Sequence, residues 1–316
     1  MQNKRSLETP LSHVSLGVGS PVCCVAHRGA RAYAPENTLP AFEKAAQLGC
    51  TMIELDVHMT RDGELVVHHD DRLGRCTDAR ARFPVGASDL LSDYELPQLQ
   101  QLDAGGWYVQ QIKSAPAHRQ AFLRTLTPEE QERYLSSAEI ALYAGGTVRI
   151  PTLAEALDVA TRADLMVNIE IKAIPRMYPG IAGKIVDLVV ARSLQRSVVI
   201  SSFDHCQLLE VRRLDETLLT GVLTSDRLAH PAGYLKLLDA DSYNPGCYDD
   251  FDSLGFGSVS GTLDPRGIRE VLGAMKMVFV WTCNEPQAMQ ALANERVTGL
   301  ITDYPNRFHA LAASAT

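Results

Sequence analysis

The sequence predicts an α/β fold, a TIM-type (β/α)8 barrel carrying a small inserted helical subdomain. Three observations predict it. Eight short apolar runs alternate with helical patterns, and charged side chains gather at the C-terminal ends of those runs. The first run ends in His27-Arg28-Gly29 with no GxGxxG behind it, which disfavours the competing doubly wound open sheet. A chain of 316 residues, 46% hydrophobic, can bury such a core. It leaves a surplus over the roughly 250 residues of a compact barrel.

The expected strands are Val22–His27, Met52–His58, Met166–Lys172, Val198–Ser202, Leu218–Leu223, a weak one near Asp241–Asn244, Met277–Cys283 and Gly299–Asp303. Helical patterns cover Leu39–Leu48, Leu153–Arg162, Pro179–Ser193, His205–Leu214, Asp264–Ala274 and Pro286–Ala293. Start signals precede several of them: Asn37-Thr38, Pro151-Thr152 and Asp264-Pro265. In "VHMTRDGELVVHHD", Asp62-Gly63 reads as a tight turn between two β-like runs. The surplus falls within about 71–149, most easily between Trp107 and Arg149, where "TLTPEEQERYLSSAEIALYAGG" reads as one or two polar helices over the barrel mouth or rim. Residues 1–20 read as a flexible leader ahead of a barrel over 21–316, with no apolar core of a signal peptide.

A formal net charge of -8 argues against nucleic acid or an anionic membrane as the main partner. No stretch approaches the roughly 20 apolar residues of a membrane span. Seven cysteines without a CxxC read as reduced, mostly buried thiols. A soluble, cytoplasmic protein is the expectation.

Strand alternation places Glu54 and Asp56 of "TMIELDV" on one face, with Ile53, Leu55 and Val57 on the other. In "VNIEIKA" the same arithmetic pairs Glu170 with Lys172. Three carboxylates converging on one barrel mouth repel unless a positive charge sits among them. A divalent cation with oxygen ligands supplies it, and Glu54, Asp56 and Glu170 are the expected ligands. A purely structural ion network with Arg28 and Lys172 is the plainer reading. Beside a cation, Arg28 and Lys172 make a phosphate clamp, and the ensemble suits phosphoester cleavage. His27 and His69 are left for proton transfer. His58 follows Glu54 and Asp56 on their face as a conceivable fourth ligand, and spacing alone does not choose between His68 and His69. Trp281 either packs under a loop or offers an apolar platform to the carbon part of a substrate.

"AHRGARAYAPENTLPAF", "IELDVHMTRDGELVVHHDDRLGRCTD", "LQQLDAGGWY", "IPTLAEAL", "NIEIK", "FVWTCNEP" and "GLITDYP" occur in this order. Together they resemble the glycerophosphodiester phosphodiesterase family from about Val22 to Phe308. The resemblance implies a barrel with an inserted subdomain, one divalent metal ion, usually Mg2+ or Ca2+, and hydrolysis of a small glycerophosphodiester to an alcohol and glycerol 3-phosphate. It maps the family's histidine pair onto His27 and His69, the metal-binding carboxylates onto Glu54, Asp56 and Glu170, and the phosphate-binding cations onto Arg28 and Lys172. Its Pro-Glu-Asn-Thr motif falls on Pro35 through Thr38, so Glu36 and Asn37 would shape the metal and phosphate site. It also implies that the glycerol hydroxyl next to the phosphate attacks first, giving a cyclic phosphate that water opens.

Three features depart from the family pattern: the long segment from Gly106 to Arg149, His58 where a neutral polar residue is common, and Val297-Thr298-Gly299 in place of Val-Asp-Gly. Extra helices at the mouth bear on substrate size. A lysophospholipase D type of hydrolase acting on larger lipid headgroups is therefore the alternative. A non-catalytic binding barrel would be expected to have lost some of these residues. A histidine-rich metallohydrolase would show His-x-His at the end of the first strand.

Overall fold

The computed structural model describes residues 7–8, 15–173, 178–247 and 265–314. Eight parallel strands close into a barrel: β1 (Cys23–Ala26), β2 (Met52–Met59), β3 (Met166–Ile171), β4 (Val198–Ser202), β5 (Leu219–Thr224), β6 (Ser242–Pro245), β7 (Met277–Val280) and β8 (Gly299–Thr302). Each pairs with its neighbour in the chain, and β8 closes on β1 through Gly299↔Cys23 to Thr302↔Ala26. The expected barrel is the observed one, with strand ends shifted by a residue or a few.

Around it lie α1 (Leu39–Gln47), α2 (Leu153–Arg162), α3 (Ile181–Ala191), α4 (His205–Leu214), α5 (Pro231–Leu238), α6 (Pro265–Gly273), α7 (Pro286–Asn294) and α8 (Pro305–Ser314). The sequence reading did not include α5 and α8. Both open on proline, as the predicted α6 and α7 also do. The start signal at Asp264 lies outside the described residues, and α6 is seen from Pro265. At the head of α2, Thr152 Oγ1 accepts from Glu155 N (3.2 Å) and Glu155 Oε2 from Thr152 N (2.8 Å). This capping box is worth about 1 kcal/mol and fixes where the helix begins.

Alternation along the strands separates two apolar layers from the polar mouth. Val25, Met52, Met166, Val199, Leu219, Phe279 and Ile301 fill the lower barrel interior. Ile53, Leu55, Val57, Ile169 and Ile200 pack outward with residues of α2 and α3. Burying each such side chain stabilises by roughly 1.5–3 kcal/mol. Most of the expected leader lies outside the described residues; within it, Leu7–Glu8 pairs antiparallel with Ser15–Leu16, and Leu16 joins the lower interior cluster.

β2 continues into a hairpin with Leu65–Val67, turning at Gly63 with φ 86°, as Asp62-Gly63 predicts. Between this hairpin and α2 lie five short helices: Ala79–Arg82, Leu96–Leu99, Gly106–Lys113, Pro128–Tyr134 and Ser137–Ala144. Their apolar sides share a second core with Tyr33, Ala41, Val66 and Tyr304 of the barrel.

Candidate active site

The mouth is assembled from the C-terminal ends of the strands. Register sets Asp56 beside Glu170 and Glu54 beside Asn168 on the adjacent strands β2 and β3. Ligand oxygens of Glu54, Asp56 and Glu170 lie within 4.8 Å of one another, and all three residues are buried. Arg28 N donates to Glu54 Oε2 (2.9 Å), while Glu54 Oε1 is buried with no hydrogen-bond partner. Lys172 Nζ stands 2.6 Å from Glu170 Oε1 and 3.0 Å from Asp56 Oδ1.

Charge within the cluster is unevenly held. Burial, and then the neighbouring Asp56 and Glu170, push the Glu54 carboxyl well above its usual range. Burial also raises Glu170, against the pull of Lys172. At Asp56 burial is outweighed by Lys172, His69 and Arg28, and the carboxyl stays well below its ordinary range. An unpartnered buried carboxylate oxygen within a trio of hard oxygen donors fits Mg2+ or Ca2+.

The loop from β1 to α1 supplies the rest. Arg28 and Gly29 take left-handed backbone, φ 55° and 78°, which turns the chain immediately after His27. A Cβ on Gly29 would lie 2.7 Å from the backbone of Ala41, so only glycine fits. Asn37, also left-handed at φ 55°, returns the loop onto β2. Its Nδ2 donates to Asp56 Oδ2 (2.7 Å), and its Oδ1 accepts from Asp56 N (3.3 Å). Glu36 accepts from Arg28 Nη1 at 2.9 Å, and Arg28 Nε stands 3.4 Å from Asp56 Oδ2. Glu36 and Asn37 thus hold the residues that face the opening.

His27 Nδ1 lies 2.8 Å from Asp303 Oδ1, and His69 Nδ1 lies 2.6 Å from Asp70 Oδ1. A carboxylate only accepts, so each Nδ1 carries the hydrogen and each Nε2 keeps its lone pair. Burial, then Arg31 and Arg28, bring His27 down to about 4 against the opposing pull of Asp303. Burial with Arg28 and Lys172 holds His69 well below its usual value.

His58 and His68 are spent elsewhere. His58 Nε2 meets the His69 carbonyl at 3.0 Å and Nδ1 meets Tyr178 Oη at 2.8 Å, so neither nitrogen is left for a cation. His68 turns away to the Arg72 carbonyl at 3.3 Å. Trp281 donates from Nε1 to Asn244 O (2.9 Å) and stands edge-on to Phe203. It lines the opening.

Above these groups is a cavity of about 570 Å3. Its lining combines His27, His69, Arg28 and Lys172 with the apolar Phe122, Phe203, Leu223 and Trp281. The sequence reading gave no role to Asp303, Asp70, Arg31 or Arg75. Asp303 stood among the strand-end acids and Asp70 beside His69, which was signal enough. Arg31 and Arg75 carry none that spacing can show, because their partners are distant in the chain.

The chain's residues 27–307 match the model of the glycerophosphoryl diester phosphodiesterase family. The glycerophosphodiester phosphodiesterase of Caldanaerobacter subterraneus subsp. tengcongensis is 30% identical over 281 residues, 89% of this chain and 93% of the relative. In fold the chain is similar to an Oleispira antarctica phosphodiesterase in complex with the product sn-glycerol-3-phosphate, with a TM-score of 0.66, 24% identity, and coverage of 92% of this chain and 96% of that one. It is similar also to the glycerophosphodiester phosphodiesterase of Agrobacterium tumefaciens, with a TM-score of 0.65, 21% identity, and coverage of 92% and 99%. A match over nearly the whole length and a mouth built from carboxylates, cations and two anchored histidines lead to one statement: the chain belongs to the glycerophosphoryl diester phosphodiesterase family and is an enzyme of that class.

Proposed function

We propose that the enzyme hydrolyses glycerophosphodiesters to an alcohol and sn-glycerol 3-phosphate, with His27 and His69 as the acid and base and one Mg2+ or Ca2+ held by Glu54, Asp56 and Glu170. The observation that carries this is the buried trio of carboxylates, one oxygen unpartnered, at a cavity also lined by two histidines whose Nδ1 atoms are anchored on aspartates and whose Nε2 atoms are kept for proton transfer. The cation, when bound, neutralises the carboxylates and the charge that grows on the phosphoryl oxygens.

Arg28 and Lys172 bind the phosphate, Arg28 through a guanidinium that Glu36 orients and Lys172 as a point charge. Asn37 fixes Asp56, and Trp281 offers an apolar face to the glycerol carbons. One histidine accepts at Nε2 the proton of the attacking glycerol hydroxyl while the other, protonated, gives one to the departing alcohol. The cyclic phosphate is then opened by water with the two roles exchanged.

The substrate is a small molecule. Among the described residues no helix is long and apolar enough to cross a membrane. The seven cysteines are free thiols, which favours a cytoplasmic setting. The same reading takes residues 21–316 as one barrel domain with an insertion over about 71–149, preceded by a leader over 1–20.

A second reading has a specific observation behind it. Phe122, Phe203, Leu223 and Trp281 give the cavity an apolar part to its lining, as a lysophospholipase D type of substrate would need. The test is glycerol 3-phosphate release from glycerophosphocholine and glycerophosphoethanolamine, with chelator and then with Mg2+ or Ca2+ restored, and His27→Ala as control. Metal-dependent release that vanishes in the variant is expected. Turnover of a long-chain lysophospholipid without turnover of either small diester would transfer support to the second reading.

A further inference from the structure

The two histidines come from different segments, one at the end of β1 and one beyond the hairpin that follows β2, yet their supports meet at one side chain. From His27 the contacts run through Asp303 to Arg31, which reaches Asp303 with Nε and with Nη2 (3.0 Å) and Glu36 with Nη1 (3.5 Å). From His69 they run through Asp70 to Arg75. That guanidinium grips Asp70 with Nε (2.7 Å) and Nη2 (2.9 Å), and Glu36 with Nη1 (3.1 Å) and Nη2 (2.7 Å). Arg28 closes on the same carboxylate. Glu36, 5% exposed, is therefore the shared partner of three guanidiniums.

The geometry allows few alternatives. Asp303 Oδ1 accepts from both His27 and Arg31, and Asp70 uses both of its oxygens on Arg75 while Oδ1 also serves His69. Neither aspartate can rotate while its arginine is held. The inserted segment adds a contact to each arginine: Gln120 Oε1 accepts from Arg75 (3.1 Å), and Arg31 lies 4.1 Å over the Phe122 ring. Each guanidinium grips its aspartate with two nitrogens and also meets Glu36, Arg75 with two nitrogens and Arg31 with one, so one carboxylate bears on the histidine tautomers at both ends.

We propose that Glu36 is a positioning residue that couples His27 to His69, so that a single buried carboxylate sets the orientation of both rings through Arg31–Asp303 and Arg75–Asp70. The kinetic consequence rests on the hydrolase reading above; the coupling itself does not. Loss of the Glu36 charge frees both arginines at once. Loss of one guanidinium fork frees one histidine.

The experiment records the ring 15N shifts of His27 and His69 through their carbon-bound protons in the full chain. It compares the parent with Glu36→Gln, Arg31→Lys and Arg75→Lys. Glu36→Gln is expected to shift both rings away from the Nδ1–H form, Arg31→Lys mainly His27, and Arg75→Lys mainly His69. Turnover of Glu36→Gln should fall about 10²-fold, the scale on which misplaced groups act, while Mg2+ affinity by calorimetry is retained because Asn37 and Lys172 still hold Asp56. If Glu36→Gln does not fold, Glu36→Asp, too short to reach all three guanidiniums, carries the same expectation. Either variant leaving one histidine's shifts as in the parent overturns the coupling. Loss of Mg2+ binding overturns it too, by assigning Glu36 to the metal site. A parent that turns over no phosphodiester sinks the hydrolase reading, and the ring shifts still decide the coupling.

Discussion

Asp303→Asn tests the support of His27 with little change of volume. Asp303 is fully buried and accepts from His27 Nδ1 (2.8 Å), from Arg31 and from Asn284 Nδ2 (2.7 Å). An amide has one acceptor oxygen where the carboxylate has two, so one of these donors must lose its acceptor. If the amide nitrogen faces His27, the ring takes the other tautomer, Nε2 carries the hydrogen, and it can no longer accept a proton. The same substitution in serine-hydrolase triads costs about 10⁴ in turnover; here a fall of about 10²–10⁴ is expected, with KM changing less. Stability falls as well, because Arg31 loses a buried counter-charge. Breaking such a pair costs about 3–5 kcal/mol. Arg31 keeps Glu36 and the Phe122 ring, so about 2 kcal/mol is the better figure, equivalent for a chain of 316 residues to a Tm about 3 °C lower. The assay is kcat and KM on glycerophosphocholine well below the melting transition, beside a thermal melt. Unchanged kcat in a variant whose Tm has dropped would falsify the assignment of Asp303 as the group that orients His27.

Glu54→Gln replaces the carboxylate whose Oε1 has no protein partner. Its Mg2+ or Ca2+ affinity by calorimetry should fall by more than the roughly 10–100-fold typical of outer-shell losses, whereas His58→Gln should leave affinity unaltered because both ring nitrogens of His58 are already bonded. Glu130 concerns stability against pH. It accepts from Arg307 Nε and Nη2, both at 2.8 Å, and from Asn306 Nδ2 at 3.0 Å; burial is outweighed and its pKa is lowered. A depressed carboxylate contributes stability that is present above its unfolded pKa near ~4.3 and is lost as pH falls through the folded value. Melts of Glu130→Gln should therefore lie below the parent at pH 7 and converge with it in acid, and a constant gap across that range would count against the ion pair.

Strands were legible because a barrel strand is a short apolar run whose inward residues turn polar at one end. Glu54 and Asp56, two apart, could be placed on one face from parity alone, and the structure places them there. Parity does not cross from one element to another. Nothing local in "HRGAR" says that Arg31 will meet Asp303, because that contact depends on β8 closing beside β1. Arg75 is equally silent, since Glu36 is brought to it by the folding of the insertion over the first loop. His58 shows the converse error that parity allows. It shares the face of the carboxylates, but Tyr178 and the His69 carbonyl, both set by tertiary packing, take its nitrogens.

The long segment before α2 suggests a lid, and its contacts argue for a wall. Tyr108 Oη donates to Ala32 O (2.7 Å), Tyr304 Oη to Phe122 O (2.5 Å), and Lys44 Nζ to Glu139 (2.7 Å), all between the insertion and the barrel or its first loop. Each buried hydrogen bond contributes about 0.5–1.5 kcal/mol, and an opened lid would leave these groups unsatisfied. It would also expose the core that Tyr33, Ala41 and Tyr304 share with Leu99, Tyr108 and Leu123. Those costs together approach the global stability of a domain, so the segment should open only when the barrel does. Leu123 N, bonded to Gln120 O at 2.9 Å, is then expected to exchange its hydrogen as slowly as the amides of β3. Exchange orders of magnitude faster, with β3 still protected, would restore the lid. Slow exchange makes Phe122 a fixed wall, and substrate size is then set by the cavity as it stands.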